Sequence, residues 1–367
     1  MNVPLDNPKP DIENFKQIIL RKKEPERPPF VELHIDKEIV KEIVESKLGR
    51  KWVPPVLDDR DSQSACLMNY IECHYRLGYD FIRLTGDFRF SSGLHFVSHV
   101  REGKDTADLT RGERKWVELS AGVINSWEDF EKYPWPSLDE VDMWAMDFVS
   151  SNLPDGMGIL ACPTQGVFET GMNSLFGYEN LAFLLYDDPE LVKAVFDRVG
   201  ELIYSYYQNI IGMDNLAGFF QGEDMGFRTS TLIAPEYLRK FVFPWHKKIA
   251  KLAHENDLIY ILHACGNLES IMEDLIEDVG IDAKHSFEDA IMPVTEFKRI
   301  YGDRVGIMGG VDVDNLCRME EKDLRAYVKN IIDECNKGGG YALGTGNSVT
   351  NYVPLKNFLI MLDEGLR

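Results

Sequence analysis

The sequence has few cysteines, no long hydrophobic run and no excess of basic residues, and each absence excludes a class of protein. Its 367 residues include six cysteines, which lie far apart, so a disulfide framework is not expected. No stretch reaches the roughly 18 apolar residues that a membrane span needs, and residues 1–23 are too polar for an export signal. We therefore expect a cytoplasmic protein with reduced thiols.

The charge balance and the missing motifs exclude further functions. The net charge of −21 at pH 7 repels nucleic acid and anionic lipid, so no nucleic-acid or membrane partner is predicted. A polyanionic substrate would need a local basic pocket to overcome this charge. The chain also lacks a Ser-centred nucleophile elbow, an HExxH helix and a CxxC pair, which excludes the common hydrolase, metalloprotease and redox sites.

Short apolar runs alternate with amphipathic helical stretches from about residue 28 to the end, without repeats or low-complexity tracts. This alternation is typical of βαβ units and of an α/β fold with a parallel sheet. Eight runs are predicted strands, the number that closes a (β/α)8 TIM barrel. The predicted strands are residues 30–34, 81–85, 158–162, 217–221, 258–263, 281–286, 305–308 and 341–343.

The predicted organisation is one (β/α)8 barrel over residues 28–367, preceded by an N-terminal arm over residues 1–27. Prolines in the arm argue against a long uninterrupted helix there. Residues 88–157 place four tryptophans among charges and prolines, and we predict an insertion between the second and third strands. The longest helix is expected at about 235–256, with Pro235 near its start.

Two potential metal ligands end the fifth predicted strand. Active sites of barrels lie at the carboxyl ends of the strands, and His263 and Cys265 supply the imidazole and thiolate that zinc prefers. The same pattern also fits a packed cysteine beside a hydrogen-bonded histidine. After the fourth strand, Glu223 or Asp224 can add an oxygen ligand, although an isolated acidic pair is more often a solvated loop.

Other strand ends carry polar groups that are candidates for binding a substrate. Such groups can also be ordinary rim residues that form hydrogen bonds with the loops. The candidates are Glu32, His34, Arg83, Glu288 and Asn347, with Asp87 nearby.

The ordered motifs of this chain resemble those of the uroporphyrinogen decarboxylase-like superfamily from about residue 28 to residue 366. This resemblance implies a (β/α)8 barrel, in agreement with the strand count. The motifs lie at residues 30–36, 166–169, 175–181, 186–192, 222–226, 263–267, 301–304, 308–312, 338–341 and 354–357.

The superfamily contains true decarboxylases and zinc-dependent methyltransferases that exchange methyl groups with a corrinoid protein. True decarboxylases bind the carboxylates of their substrate through an Arg-x-x-x-Arg pair in the loop after the first strand. The corresponding positions here are His34 and Glu38, next to Glu32 and Asp36. Because these acids would repel a porphyrinogen rich in carboxylates, the resemblance favours the methyltransferase branch.

The third metal ligand is the main departure from the thiol-methylating branch. That branch resembles this chain at His263-x-Cys265 but carries a third cysteine ligand where Thr345 stands here. We therefore predict a mixed oxygen, nitrogen and sulfur site of Glu223, His263 and Cys265. Either Asp224 or Glu288 is an alternative third ligand, and Glu223 and Asp224 are the predicted catalytic groups. A methyl-ether-cleaving branch that binds zinc through glutamates and a histidine does not fit the spacing cleanly.

The resemblance implies that zinc acts as a Lewis acid on a small methyl ether, methylamine or methylthiol, and that the cobalt of a corrinoid accepts the methyl group. The reverse direction stays open. The Asp-x-His-x-x-Gly arrangement of a corrinoid-binding module is absent, so the corrinoid is expected on a partner protein. Residues 88–157 are a candidate docking surface or lid, and a homodimer is possible in this family. A metal-free decarboxylase or lyase and a non-catalytic scaffold are the alternatives.

Overall fold

A parallel sheet of seven strands dominates the fold. The computed structural model describes residues 1–85, 93–107, 109–110, 112–117 and 122–367, and Asp87 lies outside these ranges. In the described residues, the sheet has the order β1-β4-β5-β6-β7-β8-β9, and β2 and β3 form a separate antiparallel pair. The strands are β1 Phe81–Thr85, β2 Val100–Lys104, β3 Glu113–Val117, β4 Gly158–Cys162, β5 Leu216–Gly222, β6 Ile259–His263, β7 Ala283–His285, β8 Gly306–Met308 and β9 Tyr341–Ala342.

Helices follow the strands and cover the outer face of the sheet. The α-helices are α1 Ile12–Ile19, α2 Lys37–Ser46, α3 Arg60–Leu77, α4 Trp127–Lys132, α5 Trp144–Asn152, α6 Val167–Glu169, α7 Tyr178–Asp187, α8 Pro189–Ile210, α9 Pro235–Tyr237, α10 Phe243–His254, α11 Val294–Tyr301, α12 Val313–Arg318, α13 Glu321–Cys335 and α14 Leu355–Gly365. Thr170–Phe176, Leu238–Val242 and Asp274–Val279 are π-helical, and Leu138–Glu140 and Glu269–Ile271 are 3₁₀ turns. No helix of the described ranges is long and apolar enough to cross a membrane.

Strands β4 to β9 of the seven-stranded sheet are buried on both faces, as the apolar runs in the sequence predict. One core lies between the sheet and the helices. A smaller core lies inside the curved sheet, where Phe81, Phe220 and Ile261 meet Phe15 and Ile19 of α1. The α1 helix therefore packs against the amino ends of the strands and leaves the carboxyl ends free to carry a site.

The register of the sheet brings the carboxyl ends of β5, β6 and β7 together. Gly222 lies opposite His263, and His263 lies opposite His285. Side chains that end these strands or follow them by one or two residues therefore share one edge of the sheet.

The predicted first strand at residues 30–34 does not appear as a strand in the described part of the chain. Phe30 and Ile35 form isolated parallel bridges with Leu343 and Val349, beyond the end of β9. No backbone hydrogen bond joins this segment to β1 within the described residues. Pro28 and Pro29 before it have no N–H to donate, and the segment pairs only on the side of β9. The structure shows an α/β fold with a curved parallel sheet, and it does not show a closed barrel of eight strands.

The predicted helix at 235–256 is interrupted. It begins at Pro235 as expected, continues as a π-helical segment from Leu238 to Val242, and resumes as α10 until His254. Pro244 lacks the N–H that a continuous α-helix would use, so the turn before it widens. In the predicted insertion, the described residues form the β2–β3 pair, α4 and α5, and α5 packs on α3.

Candidate metal centre

Asp224, His263 and Cys265 meet at the carboxyl ends of β5 and β6. His263 Nε2 lies 3.4 Å from Asp224 Oδ1 and 3.4 Å from Cys265 Sγ. One potential ligand atom from each residue lies within 4.8 Å of the other two. Tetrahedral zinc with bonds of about 2.0–2.3 Å places its ligand atoms roughly 3.3–3.8 Å apart. The three side chains therefore have the donor types that zinc prefers, and the two separations from His263 Nε2 fall in this range.

Two glycines hold the Asp224 loop against the Cys265 loop. Asp224 Oδ1 accepts a hydrogen bond from the Cys265 amide at 2.9 Å. Gly266 has a φ of +78°, and a Cβ atom there would lie 2.3 Å from the carbonyl carbon of Gly226. The sequence folds this way because only glycine allows both this backbone conformation and this close approach.

A second layer of polar groups orients the imidazole and the thiol. His263 Nδ1 lies 2.7 Å from Nδ1 of the buried His285. Burial, followed by the neighbouring His263, holds the pKa of His285 well below its usual value, so His285 is neutral and can accept the Nδ1–H of His263. The bond from Nδ1 leaves Nε2 facing Asp224 Oδ1, where a metal ion would take the place of the Nε2 proton. Asn347 Nδ2 donates to Cys265 Sγ at 3.2 Å, and Ser286 Oγ lies 3.6 Å from the same sulfur.

The protonation of the cluster depends on burial and hydrogen bonds. Burial raises the pKa of Asp224, but hydrogen bonds with His263 and Cys265 outweigh it and bring the pKa to about 2. Burial, followed by the charge of Asp224, raises the pKa of the Cys265 thiol far above its ordinary range. Because a metal ion binds the thiolate, a bound cation would have to stabilise the deprotonated sulfur.

Glu223, the predicted third ligand, points away from this cluster. Its side chain is fully buried, its Oε1 accepts the Glu169 amide at 2.7 Å, and its Oε2 accepts His246 Nε2–H at 2.6 Å. Tyr260 O–H then donates to His246 Nδ1 at 2.5 Å. Both carboxylate oxygens of Glu223 are therefore engaged with α6 and α10, whereas the other candidate of the acidic pair, Asp224, faces the imidazole and the thiol.

Thr345 also points away from the cluster. Its Oγ1 donates to Glu32 Oε2 at 2.5 Å and its amide donates to Glu32 Oε1 at 3.0 Å. Burial raises the pKa of Glu32 to about 8, although both hydrogen bonds from Thr345 oppose the shift. The residue in place of the third cysteine of the thiol-methylating branch thus binds a buried carboxyl group.

The substrate candidates fall into three places. Glu32, His34 and Arg83 line one cavity of about 600 Å³ between residues 30–35 and β1, part of which is open to solvent. Asn347 contacts the sulfur of Cys265 as described above. Glu288 is exposed and lines a separate cavity of about 440 Å³. The structure therefore does not bring all five candidates together.

Sequence reasoning assigned no role to two residues of this region. Glu169 Oε2 accepts the Asp224 amide at 3.3 Å, and burial, followed by the charges of Asp224 and Glu223, raises the pKa of Glu169 well above its usual value. The second residue is His285, which contacts the imidazole of His263 because the two residues lie opposite each other in the sheet. The motif at residues 166–169 marked Glu169, but its position beside Asp224 depends on tertiary structure.

Comparison with known proteins gives one family and a set of methyltransferases. The model of the uroporphyrinogen decarboxylase (URO-D) family matches residues 168–365, more than half of the chain. The methylated-thiol–coenzyme M methyltransferase of Methanosarcina mazei is 30% identical over 183 residues, which are 49% of this chain and 46% of that protein. The match thus spans about half the length of this curated relative.

Solved structures show the same fold over nearly the full length. A methyltransferase from Methanosarcina mazei superimposes with a TM-score of 0.67 at 14% identity, over 97% of this chain and 98% of the other. A Listeria monocytogenes protein, proposed to be a vitamin-B12-independent methionine synthase, gives a TM-score of 0.51 at 12% identity, over 93% and 98% of the two chains. At these identities the similarity concerns the fold alone.

Proposed function

Because this chain belongs to the uroporphyrinogen decarboxylase (URO-D) family, we propose that it is a zinc-dependent methyltransferase. It moves a methyl group between a small methyl donor and the cobalt of a separate corrinoid protein. The observation that carries this proposal is the cluster of one oxygen, one nitrogen and one sulfur donor at the strand ends. The similarity to a methylated-thiol–coenzyme M methyltransferase supports it.

Asp224, His263 and Cys265 would hold the zinc ion. Three protein ligands leave a fourth position for a substrate, as catalytic zinc sites require. When bound, zinc supplies Lewis acidity that lowers the basicity of the oxygen, nitrogen or sulfur atom bearing the methyl group.

The other residues of the site orient these ligands. His285 accepts the Nδ1–H of His263 and so directs Nε2 toward Asp224 and Cys265. Asn347 donates a hydrogen bond to the sulfur of Cys265, and this bond would stabilise the negative charge of the thiolate. The Cys265 amide holds the Asp224 carboxylate in place. Together these contacts organise the site before a substrate binds.

The first-strand region argues against decarboxylation of a porphyrinogen. Glu32 is buried against Thr345, and His34 Nε2 lies 3.4 Å from Asp36 Oδ1. Neither offers the pair of guanidinium groups that would bind several carboxylates.

A methyl-transfer assay tests the proposal. The zinc-loaded protein is incubated with reduced cobalamin and, separately, with methoxylated aromatics, methylamines or methylated thiols, and methylcobalamin is followed by its absorbance. We expect turnover with one donor class and a rate at least about 10–100-fold lower for Cys265→Ser. Glu45→Gln, which changes an exposed carboxylate on α2, is the matched control with the wild-type rate.

Two results of this assay contradict the proposal. One is the absence of methyl transfer to cobalamin or to a corrinoid protein with all three donor classes. The other is a rate that Cys265→Ser leaves unchanged.

A further inference from the structure

Lys284 places a positive charge inside the protein, close to the candidate metal centre. Side chains alternate along β7, so His285 contacts His263 on the inner side of the sheet and Lys284 points toward the helices. Lys284 is only 5% exposed. Among the described residues, no carboxylate oxygen lies within 4.0 Å of its ammonium group. A buried cation without an ion pair costs free energy, so its position needs a physical reason.

Neutral groups surround this ammonium group. It donates a hydrogen bond to the carbonyl oxygen of Ser286. It also lies 4.1 Å from the ring centre of Phe287 and 5.5 Å from that of Phe297. One carbonyl and two aromatic rings replace only part of the water that a lysine loses on burial.

The negative charges that attract Lys284 include two of the proposed metal ligands. Burial lowers the pKa of Lys284 to about 8, and the charges of Cys265, Glu288 and Asp224 oppose this shift. In the other direction, the charge of Lys284 lowers the pKa of the Cys265 thiol, although burial outweighs it. At pH 7 most of the amine therefore keeps its proton, and its charge acts on the metal centre.

Ser286 connects the ammonium group to the sulfur of Cys265. Its carbonyl accepts the hydrogen bond from Lys284, and its Oγ lies 3.6 Å from Cys265 Sγ. The preceding carbonyl, that of His285, accepts the Ala264 amide at 2.8 Å. The backbone on both sides of the Ser286 hydroxyl is therefore held by hydrogen bonds, and Lys284 supplies one of them.

We propose that Lys284 is a positioning residue of the metal centre, whose ammonium group holds Ser286 against Cys265 and places a positive charge near the metal-bound thiolate and Asp224. This inference rests on the proposed function for the metal ion. A positive charge near two anionic ligands offsets their mutual repulsion. It also makes the sulfur a weaker electron donor, so the metal ion is a stronger Lewis acid.

The zinc affinity of four proteins tests this inference. Lys284→Met keeps the shape of the side chain but removes its charge and its N–H groups, and we expect the Kd for zinc to rise about 10–100-fold. Lys284→Arg keeps the charge and the donors, and the adjoining cavity of about 440 Å³ can take the larger guanidinium, so most of the affinity should return. Competition of the wild type and each variant with a chromogenic chelator measures the Kd.

The fourth protein, Lys298→Met, is the matched control. Lys298 also donates to a backbone carbonyl, that of Gly339 at 2.6 Å, and burial lowers its pKa too. Because Gly339 precedes β9, this lysine lies at the amino ends of the strands, away from the metal centre. Lys298→Met should therefore leave the Kd for zinc unchanged.

Cobalt separates the effect of charge from that of packing. Co²⁺ bound in place of zinc gives an absorption band for electron transfer from the thiolate to the metal. Without the charge of Lys284 the sulfur gives up an electron more easily, so the band of Lys284→Met should lie at longer wavelength than that of the wild type. Lys284→Gln, a second neutral variant, should show the same shift, and Lys284→Arg should return the band toward the wild-type wavelength.

The urea midpoint of each metal-free protein is measured as well, and Lys284→Met should keep that of the wild type, because it replaces an unpaired buried charge with an apolar group. An unchanged Kd or an unchanged band in Lys284→Met overturns the inference. A Lys284→Arg protein that behaves like Lys284→Met, or a wild type that binds no zinc, also overturns it.

These outcomes are separate from those of the methyl-transfer assay. A protein that binds zinc with the expected dependence on Lys284 but moves no methyl group supports this inference and contradicts the proposed function. Methyl transfer by the wild type together with wild-type zinc affinity in Lys284→Met supports the proposed function and contradicts this inference.

Discussion

Glu223 and Asp224 are neighbours in the sequence, yet their side chains have different surroundings. Glu223 accepts a hydrogen bond from His246 of α10, whereas Asp224 faces His263 and Cys265. Successive side chains at a strand end point in opposite directions, so the last residue of the strand decides which acid faces the metal centre. Because β5 ends at Gly222, one residue beyond its predicted end, sequence patterns alone could not choose between the two acids.

Glu223 should therefore matter for stability more than for metal binding. Glu223→Ala leaves the buried N–H groups of His246 and Glu169 without acceptors, and we expect a loss of about 3–5 kcal/mol in the free energy of unfolding. Urea denaturation measures this change. Glu288→Ala, at an exposed position, is the control and should stay within about 0.5 kcal/mol of the wild type. A fully stable Glu223→Ala protein that has lost its zinc would instead identify Glu223 as a ligand.

Glu32 should make the stability depend on pH in the opposite direction to an ordinary carboxylate. Its pKa is about 8 in the folded protein and near the ordinary 4.5 in the unfolded chain. Between these values the folded state binds the extra proton, so the contribution of Glu32 is complete below pH 4.5 and is lost as pH rises toward 8. From pH 4.5 to 7 the loss is about 3 kcal/mol.

Denaturation curves at several pH values measure this dependence for the wild type and for Glu32→Gln. The amide can keep both contacts with Thr345 but does not titrate, so its stability should fall less over this range. Parallel pH profiles for the two proteins would show that Glu32 is ionised in the folded state.

At the scale of elements, the sequence predicted the buried strands, but it did not predict whether they close into a barrel. The runs at 81–85 and 158–162 match β1 and β4 residue for residue. Residues 158–162 are a continuous apolar run, as a strand buried on both faces predicts, and Arg83 interrupts the apolar run of β1. Residues 30–34 place Glu32 and His34 among apolar residues and pair on one side only, which local sequence does not reveal. The π-helical turn before Pro244 likewise depends on how the chain accommodates a missing N–H.

The contact between the loops after β5 and β6 should depend on Gly266. Gly266→Ala places a methyl group 2.3 Å from the carbonyl carbon of Gly226, so we expect the two loops to separate and zinc affinity to fall by about 10–100-fold. Competition with a chromogenic chelator measures this affinity. Gly338→Ala is the matched control, because Gly338 has a similar φ of +73° but no atom within 4 Å of the added carbon. It should cost about 1–2 kcal/mol of stability and leave zinc affinity unchanged. Equal zinc affinity in both variants would mean that the loop contact does not support the metal centre.

At the scale of the whole molecule, the fold collects distant residues at one edge of a strongly acidic protein. The pair of His263 and Cys265 was recognisable from the sequence because both residues end one apolar run. The contributions of His285, Glu169 and Asn347 depend on the register of separate strands and on loop contacts, which no local pattern contains. The predicted homodimer, the corrinoid partner and the cytoplasmic location stay predictions.

The zinc content of Asp224→Asn tests the central claim most directly. Wild type, Asp224→Asn and the control Glu288→Gln are loaded with zinc, freed of excess metal by gel filtration, and analysed by inductively coupled plasma mass spectrometry. We predict about one zinc ion per chain for the wild type and for Glu288→Gln, and little zinc for Asp224→Asn, because the neutral amide is a poor substitute for a carboxylate ligand. A wild-type protein without zinc, or an Asp224→Asn protein that keeps a full zinc ion, would contradict the account.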